Sequence, residues 1–151
     1  MAVKKAMRLA LVDDHTLFRE GMIQLIEWVC KDCIITFEAN DGIDLQQKLT
    51  KDNEPEIILM DINMPRMDGY ACVQWLNENF PHVKIIVVSM NQQEAAMTRM
   101  LTLGVNGYLS KDVEPAKLAK VLKDLRSGKE GFYYTSPLSG ELHHILPGKG
   151  D

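Results

Sequence analysis

Residues 57–69 read IILMDINMPRMDG, an apolar run that ends abruptly in a carboxylic acid, Asp61. Four consecutive apolar residues predict a strand that is covered on both faces, as in a parallel sheet. Comparable runs recur along the chain, at residues 9–12, 34–37 and 85–88, with a weaker fifth at Tyr108-Leu109. The sequence therefore predicts five buried strands.

Segments with helical periodicity lie between these runs. Asp41 suits the N-cap of the second segment, Pro81 stops the third, and Gly104 ends the fourth. The fifth has Pro115 in its first turn and Gly128 after its end. Strand and helix thus alternate five times, which predicts an α/β fold with a doubly wound, five-stranded parallel sheet.

Composition excludes several classes of protein. The 151 residues are 46% hydrophobic and 25% charged, as in one soluble globular domain rather than a disordered chain. The formal charge of −4 argues against nucleic-acid binding through the whole surface. No run reaches the ~18 apolar residues of a membrane span. The apolar run after Arg8 stops at Asp13, too early for a signal peptide, so we expect a cytoplasmic protein without membrane contact.

The three cysteines indicate no disulfide framework, because an odd number in a cytoplasmic chain is unsuited to one. Cys30 and Cys33 have C-x-x-C spacing, but they fall where a helix gives way to a strand, whereas redox motifs open a helix. A single pair also cannot complete a four-ligand zinc site.

Polar residues follow four of the predicted strands: Asp13-Asp14, Asp61, Ser89 and, after Ser110, Lys111. The carboxyl ends of parallel strands share one edge, where ligands bind, so these side chains should converge. Any one aspartate could instead be a helix N-cap. Three carboxylates together need positive charge, which Lys111 and a hard cation such as Mg²⁺ would supply. Such a pocket suits phosphoryl transfer to a carboxylate.

These residues resemble the receiver domain of bacterial two-component response regulators, the CheY-like family. The resemblance runs from about residue 7 to residue 127 and rests on four motifs: Val12-Asp13-Asp14-His15, Asp61 to Gly69, Val88-Ser89, and Gly107-Tyr108-Leu109-Ser110-Lys111. It implies a flavodoxin-like fold with strand order 2-1-3-4-5. It also implies a phosphoacceptor that catalyses only its own phosphorylation and dephosphorylation.

The resemblance implies roles for the phosphoryl site and the metal. Asp61 would accept the phosphoryl group, with Lys111 as the cationic partner of its oxygens. Asp14 would bind Mg²⁺ directly, Asp13 would assist through water, and Asn63 would offer its backbone carbonyl, with Asp61 completing the set.

The resemblance also implies a switch. The Ser89 hydroxyl would move to meet the phosphoryl oxygens, and the Tyr108 ring would turn inward after it; an ordinary strand aromatic is the competing interpretation of Tyr108. Asn63 and Asn91 fall two residues after Asp61 and Ser89, where the family tunes phosphoryl lifetime. The expected readout face comprises the fourth helix, fifth strand and fifth helix.

Asp112, rather than proline, follows Lys111, and the motifs resemble the NarL/LuxR/FixJ-type subfamily, whose members usually carry a C-terminal helix-turn-helix domain. We therefore expect a receiver at residues 1–128 and a linker at 129–151 leading to an output domain absent from this chain. The implied partners are a sensor histidine kinase, a second copy on phosphorylation, and DNA through the missing domain.

Other functions stay open at this stage. The chain could be a stand-alone receiver that acts by protein–protein contact. An aspartyl-phosphate phosphatase or phosphotransferase would share Asp61 and Mg²⁺, but its connections would have to supply a cap. A flavodoxin-like cofactor binder would need a phosphate-cradling loop where Asp13-Asp14-His15 stands.

Overall fold

The apolar runs become the strands of one sheet in the computed structural model, which describes residues 6–146. The strands are β1 (Met7–Val12), β2 (Cys33–Ala39), β3 (Ile57–Met60), β4 (Lys84–Ser89), β5 (Gly107–Ser110), β6 (Phe132–Thr135) and β7 (Leu142–Ile145). The helices are α1 (Thr16–Val29), α2 (Gly42–Lys48), α3 (Gly69–Asn79), α4 (Glu94–Thr102) and α5 (Pro115–Arg126). Among these residues, no helix is both long and apolar enough to cross a bilayer.

The sheet has the order β2-β1-β3-β4-β5-β6-β7. Strands β1 to β5 are parallel, so the expected order 2-1-3-4-5 and the flavodoxin-like fold are confirmed. Neighbouring strand ends are in register, with Val12 opposite Met60 and Met60 opposite Val87. The residues that follow these strands therefore leave the sheet at the same edge.

Helices cover both faces of the sheet. Alternate residues of β1 point to opposite sides, Leu9 and Leu11 into one cluster and Ala10 and Val12 into the other. The first cluster includes buried residues of α1 and α5, and the second those of α2, α3 and α4. This two-sided burial explains why the strands are apolar at consecutive positions.

The segment after α5 is not the linker that we expected. β6 pairs parallel with β5, and β7 turns back antiparallel to β6, so the sheet has seven strands rather than five. Tyr133 is fully buried, and its hydroxyl donates to Asp124 Oδ2 at 2.6 Å. Burial of aromatic side chains against the sheet offsets the ordering cost of this glycine-flanked segment. The expected linker continues to residue 151, and residues 147–151 lie outside the described range.

One hydroxyl fastens this hairpin to the rest of the sheet. Thr135 is buried, and its Oγ1 accepts a hydrogen bond from the backbone N of Ser110 at 2.8 Å. The same Oγ1 lies 3.5 Å from Oε1 of Gln92, whose Nε2 donates to the carbonyl of Ser89. The hairpin is thus linked to the last residue of β5 and to the loop that follows β4.

Thr135→Val should destabilise the protein by about 1–3 kcal/mol, because it leaves the partly buried N–H of Ser110 without its partner. Thr135→Ser keeps the hydroxyl and is the matched control, with only the smaller cost of a lost methyl group. Urea unfolding measures both. Equal stability of the Val variant and the wild type would show that the hairpin is not seated through this bond.

The pair of cysteines between α1 and β2 also differs from expectation. Cys30 and Cys33 form a disulfide, with their Cα atoms 5.5 Å apart. We expected no disulfide framework and did not foresee this single bond, which forms because the chain reverses between the end of α1 and the start of β2 and brings the two side chains together. The third cysteine, Cys72, is buried, and burial raises the pKa of its thiol to about 12.

Candidate functional site

Four adjacent strands deliver charged and polar side chains to the carboxyl edge of the sheet. Asp13 follows β1, Asp61 follows β3, Ser89 ends β4, and Lys111 follows β5. The N of Asp61 donates to the carbonyl of Val12 at 3.0 Å, and the N of Lys111 donates to that of Ser89 at 3.1 Å. These bonds continue the sheet pairing one residue beyond the strands and hold the site residues side by side.

A buried ammonium group joins two carboxylates at this edge. Lys111 Nζ lies 2.8 Å from Asp13 Oδ2 and 3.1 Å from Asp61 Oδ2. All three side chains are buried, with 6%, 7% and 3% exposure for Lys111, Asp13 and Asp61. Burial alone would lower the pKa of Lys111, but the hydrogen bonds to Asp13 and Asp61 outweigh it and raise the pKa above 10.5. Lys111 is therefore a permanent cation at neutral pH.

The remaining groups of the acidic cluster lie nearer to solvent. Asp14 is about one-third exposed, and His15 follows it directly. The backbone N of His15 donates to Asp13 Oδ1 at 2.8 Å. One ligand atom from each of Asp13, Asp14, His15 and Asp61 lies within 4.8 Å of all the others. The structure thus brings the three expected carboxylates together and adds an imidazole that the sequence analysis did not assign to the site.

Asp61 is oriented by the loop that follows it. Its Oδ1 accepts from the backbone N of Ile62 at 2.7 Å and lies 3.4 Å from the backbone N of Asn63. These contacts fix one oxygen and leave Oδ2 facing Lys111. Asn63 itself is exposed in this loop. A carboxylate held in one orientation beside a cation is placed to act as a nucleophile.

Gly69 holds the same loop against α3. A Cβ at this position would lie 2.7 Å from Cα of Ile62 and 3.1 Å from the carbonyl oxygen of Asp61. Asp68 caps α3 by accepting from the N of Ala71. The Asp68-Gly69 pair therefore starts the helix and lets the backbone after Asp61 approach it closely.

Gly69→Ala should cost about 1–3 kcal/mol, because the added methyl group meets backbone that cannot move aside. Gly21→Ala is the matched control: Gly21 lies inside α1 with nothing within 4 Å of its Cβ position, and alanine there should stabilise by about 0.5–1 kcal/mol. Thermal or urea unfolding of both variants measures the contrast. A neutral Gly69→Ala variant would contradict the close approach.

The expected switch residues meet in the loop after β4. Ser89 Oγ accepts from the backbone N of Asn91 at 3.0 Å. Tyr108 is fully buried, and its hydroxyl donates to the carbonyl of Asn91. Burial raises the pKa of Tyr108 to about 12, so the phenol stays protonated. Ser89, Asn91 and Tyr108 thus form one hydrogen-bonded group. The backbone N of Lys111 donates to the carbonyl of Ser89 and so connects this group to the charged pocket.

The donor set fits Mg²⁺. Three carboxylates converge on one pocket, and among residues 6–146 the buried ammonium of Lys111 forms ion pairs with two of them, Asp13 and Asp61. Mg²⁺ binds through one or two carboxylates, keeps several waters, and usually completes its sphere with phosphate oxygens. The exposed side of the pocket at Asp14 and His15 leaves room for such waters.

Comparison with known proteins identifies the family to which this chain belongs. The sequence model described as "Response regulator receiver domain" matches residues 9–123, so the chain belongs to this family. The nitrate/nitrite response regulator protein NarL of Escherichia coli (strain K12) is 34% identical over 132 residues, which cover 85% of this chain and 59% of that protein. The transcriptional regulatory protein DegU of Brevibacillus brevis is 32% identical over 121 residues, covering 80% and 50%. The chain thus spans little more than half the length of these relatives.

Solved structures agree with the assignment. The isolated receiver domain of RcsB from Salmonella enterica serovar Typhimurium, determined with the phosphomimetic BeF₃⁻, superposes with a TM-score of 0.77 at 26% identity, covering 85% of this chain and 94% of that one. The receiver domain of a NarL regulator from Mycobacterium tuberculosis gives 0.75 at 27% identity, covering 83% and 99%. The chain is a receiver domain of the NarL/LuxR type. β6 and β7 lie beyond the residues that the family model matches.

Proposed function

We propose that this chain accepts a phosphoryl group on Asp61 from the phosphohistidine of a sensor histidine kinase or from a small donor such as acetyl phosphate. The observation that carries the proposal is the buried ammonium of Lys111 between Asp13 and Asp61, at the one edge where the strands deliver their polar residues. A carboxylate nucleophile beside a fixed cation meets the main need of phosphoryl transfer, because the transferred oxygens carry negative charge.

The transfer needs an in-line attack by Asp61. Its oxygen forms the new O–P bond while the N–P bond of the phosphohistidine breaks, and the leaving imidazole takes up a proton. Lys111 would shift from the Asp61 carboxylate to the incoming phosphoryl oxygens, which occupy the same side. Bound Mg²⁺ would supply two further positive charges, held by Asp13, Asp14, Asp61 and the backbone carbonyl of Asn63.

Ser89 and Tyr108 would report the change. Ser89 Oγ would exchange its bond from the N of Asn91 for one to a phosphoryl oxygen, and that exchange would release the loop to which the Tyr108 hydroxyl is bonded. Contacts that exist in only one state are what shifts a population between two states. Asn63 and Asn91 flank the pocket and would tune the lifetime of the acyl phosphate.

Partners would read the change on the side of α4. The expected face of α4, β5 and α5 is altered, because β6 occupies the edge of β5. A homodimer or another partner would therefore contact α4 and the hairpin in place of that edge. The curated relatives are about one and a half times as long as this chain and include a transcriptional regulatory protein, and one related RcsB structure holds dimers bound to DNA. We propose a cytoplasmic regulator whose output is transcription, through a DNA-binding domain outside this chain.

Turnover of a small-molecule substrate is a weaker proposal. Aspartyl-phosphate phosphatases need a cap that excludes water and binds substrate. The longest connection at the carboxyl edge, residues 61–68, is packed against the sheet at Ile62 and Met64, which favours a phosphoacceptor.

Intact mass spectrometry tests the proposed function. Wild-type protein incubated with acetyl phosphate and Mg²⁺ should gain the mass of one phosphoryl group, and excess EDTA should suppress the gain. Reduction of the acyl phosphate with borohydride and peptide mapping should place the label on Asp61. No gain in mass with any phosphodonor, or a label on another residue, would overturn the proposal.

A further inference from the structure

The disulfide between α1 and β2 closes a short turn at the amino edge of the sheet, opposite the acidic cluster. Cys30 is the C-cap of α1, and Cys33 begins β2, where it pairs with Met7 of β1. Both cysteines are partly exposed, and the two residues between them are exposed. A thiol in solution can therefore approach the bond while the protein is folded.

One residue inside this turn contacts two further elements. The backbone carbonyl of Asp32 accepts from the N of Met7, the first residue of β1, at 2.6 Å. Asp32 Oδ2 lies 2.8 Å from Nη1 of Arg126, the last residue of α5. The Asp32 side chain is about half exposed, and an exposed ion pair contributes little by itself. The covalent ring is thus what restricts Asp32, and through it the meeting point of α1, β1 and α5.

The place of the cysteines on α1 differs from that in a catalytic redox motif. The C-x-x-C motifs of disulfide oxidoreductases open a helix, where the positive end of the helix dipole stabilises a thiolate. Cys30 instead lies at the end of a helix, whose partial negative charge disfavours a thiolate. A stabilised reduced form is what makes a disulfide a strong oxidant. This pair is therefore suited to be reduced and reoxidised by other molecules rather than to oxidise them.

We infer that Cys30 and Cys33 form a reversible thiol–disulfide exchange site that controls the order of this turn, with a dithiol protein of the thioredoxin class as its reductant. Disulfides in cytoplasmic proteins are rare, and those that occur are usually transient or redox-sensing. The inference uses the cytoplasmic location that we propose, but it does not depend on phosphoryl transfer to Asp61.

The exchange passes two electrons from the reductant to the cysteine pair. A thiolate of the reductant attacks Sγ of Cys30, and Cys33 leaves as a thiolate, because the end of α1 disfavours negative charge on Cys30. The second thiol of the reductant then attacks the reductant sulfur of this mixed disulfide and releases Cys30. The reductant ends as a disulfide, and its two protons pass to Cys30 and Cys33. Oxidised glutathione, a small disulfide, re-forms the bond by the reverse exchange.

Alkylation and intact mass spectrometry test the exchange. Folded wild type treated with thioredoxin, thioredoxin reductase and NADPH, then unfolded in acid and alkylated, should be labelled at all three cysteines. After oxidised glutathione it should be labelled at Cys72 alone. Cys72→Ala is the control and should change from both remaining cysteines labelled to neither. A wild type that never forms the bond, or that resists thioredoxin until urea unfolds it, would overturn the inference.

Hydrogen exchange tests the structural consequence. Reduction should raise the exchange rate of the Met7 amide by about twentyfold, the factor that corresponds to the closure entropy of a four-residue ring. The double variant Cys30→Ser/Cys33→Ser should match the reduced wild type and should not respond to thioredoxin. The amide of Asp13, which donates to the carbonyl of Ala39 at the other end of the same strand pair, should be unchanged.

Equal exchange at Met7 in the oxidised and reduced proteins would mean that the bond does not hold the turn, and the inference would fail. Phosphoryl uptake by Asp61 is measured separately, on the oxidised and the reduced protein. Loss of the inferred exchange site with normal uptake leaves the proposed function in place, and a redox response without uptake at Asp61 removes the proposed function alone.

Discussion

Asp61→Asn is expected to abolish phosphoryl uptake completely while the fold remains. The amide oxygen of asparagine is not a nucleophile at neutral pH, so no acyl phosphate forms. The amide can still accept from the N of Ile62 as Asp61 Oδ1 does, and Lys111 keeps its partner Asp13 at 2.8 Å. The substitution also removes one of three neighbouring carboxylates, which relieves repulsion. Intact mass after incubation with acetyl phosphate and Mg²⁺ measures uptake, and urea unfolding measures stability.

Asp68→Asn is the matched control for this experiment. Asp68 belongs to the same motif but caps α3 by accepting from the N of Ala71, and asparagine caps helices as well as aspartate does. This variant should take up phosphoryl normally. If Asp61→Asn took up as much of the phosphoryl group as the wild type, or if both variants lost uptake equally, Asp61 would not have its proposed role.

The phosphoacceptor pocket could be predicted because it depends on strand ends. A run that is apolar at every position is typical of a strand buried on both faces, and the parallel arrangement then places the next residue of each strand at one edge. Asp13, Asp61, Ser89 and Lys111 were located by this reasoning alone. Their distances could not be predicted in this way, because the side-chain orientations depend on loop contacts such as those of Ile62 and Asn63 with Asp61.

The hairpin could not be predicted from the same pattern. Gly128, Gly131 and Pro137 surround the run 132–135 and made the segment typical of a linker. The run itself, Phe-Tyr-Tyr-Thr, has high strand propensity and was the available signal. Its pairing with β5 is a tertiary property, because it requires the ring of Tyr133 to be buried against the sheet and its hydroxyl to reach Asp124.

His15 was missed for a different reason. It is exposed, and a histidine after an acidic pair has no periodicity that distinguishes a site residue from an ordinary surface residue. The signal is the position of its Nδ1, within 4 Å of Lys111 Nζ and of three carboxylates, which only the coordinates contain. A strand pattern in the sequence locates only the site residues that directly follow a strand. Exposed residues that border the site on its solvent side can be located only from a structure.

Lys111→Met should destabilise the metal-free protein by about 3–5 kcal/mol, because it leaves the buried carboxylates of Asp13 and Asp61 without a counter-ion. Methionine keeps the aliphatic volume that lies against the ring of Phe18, whose centroid is 4.4 Å from Nζ in the wild type. The pKa of Lys111 is raised above 10.5, so its stabilisation is fully present at lower pH and is lost only as the pH rises through the raised pKa. Because Lys111 stays charged between pH 7 and 9, the difference in the free energy of unfolding between the variant and the wild type should be constant over this range. Urea unfolding measures this difference.

Mg²⁺ should restore part of this loss, since a divalent ion among Asp13, Asp14 and Asp61 replaces the missing charge. Saturating Mg²⁺ is expected to raise the unfolding midpoint of Lys111→Met more than that of the wild type. Lys120→Met is the control: its exposed ion pair with Asp124 is worth less than about 1 kcal/mol and is remote from the pocket, so Mg²⁺ should stabilise it as it does the wild type. A Lys111→Met protein as stable as the wild type without metal would mean that the ammonium does not balance the two carboxylates, and the charge arrangement on which the phosphoryl site depends would be wrong.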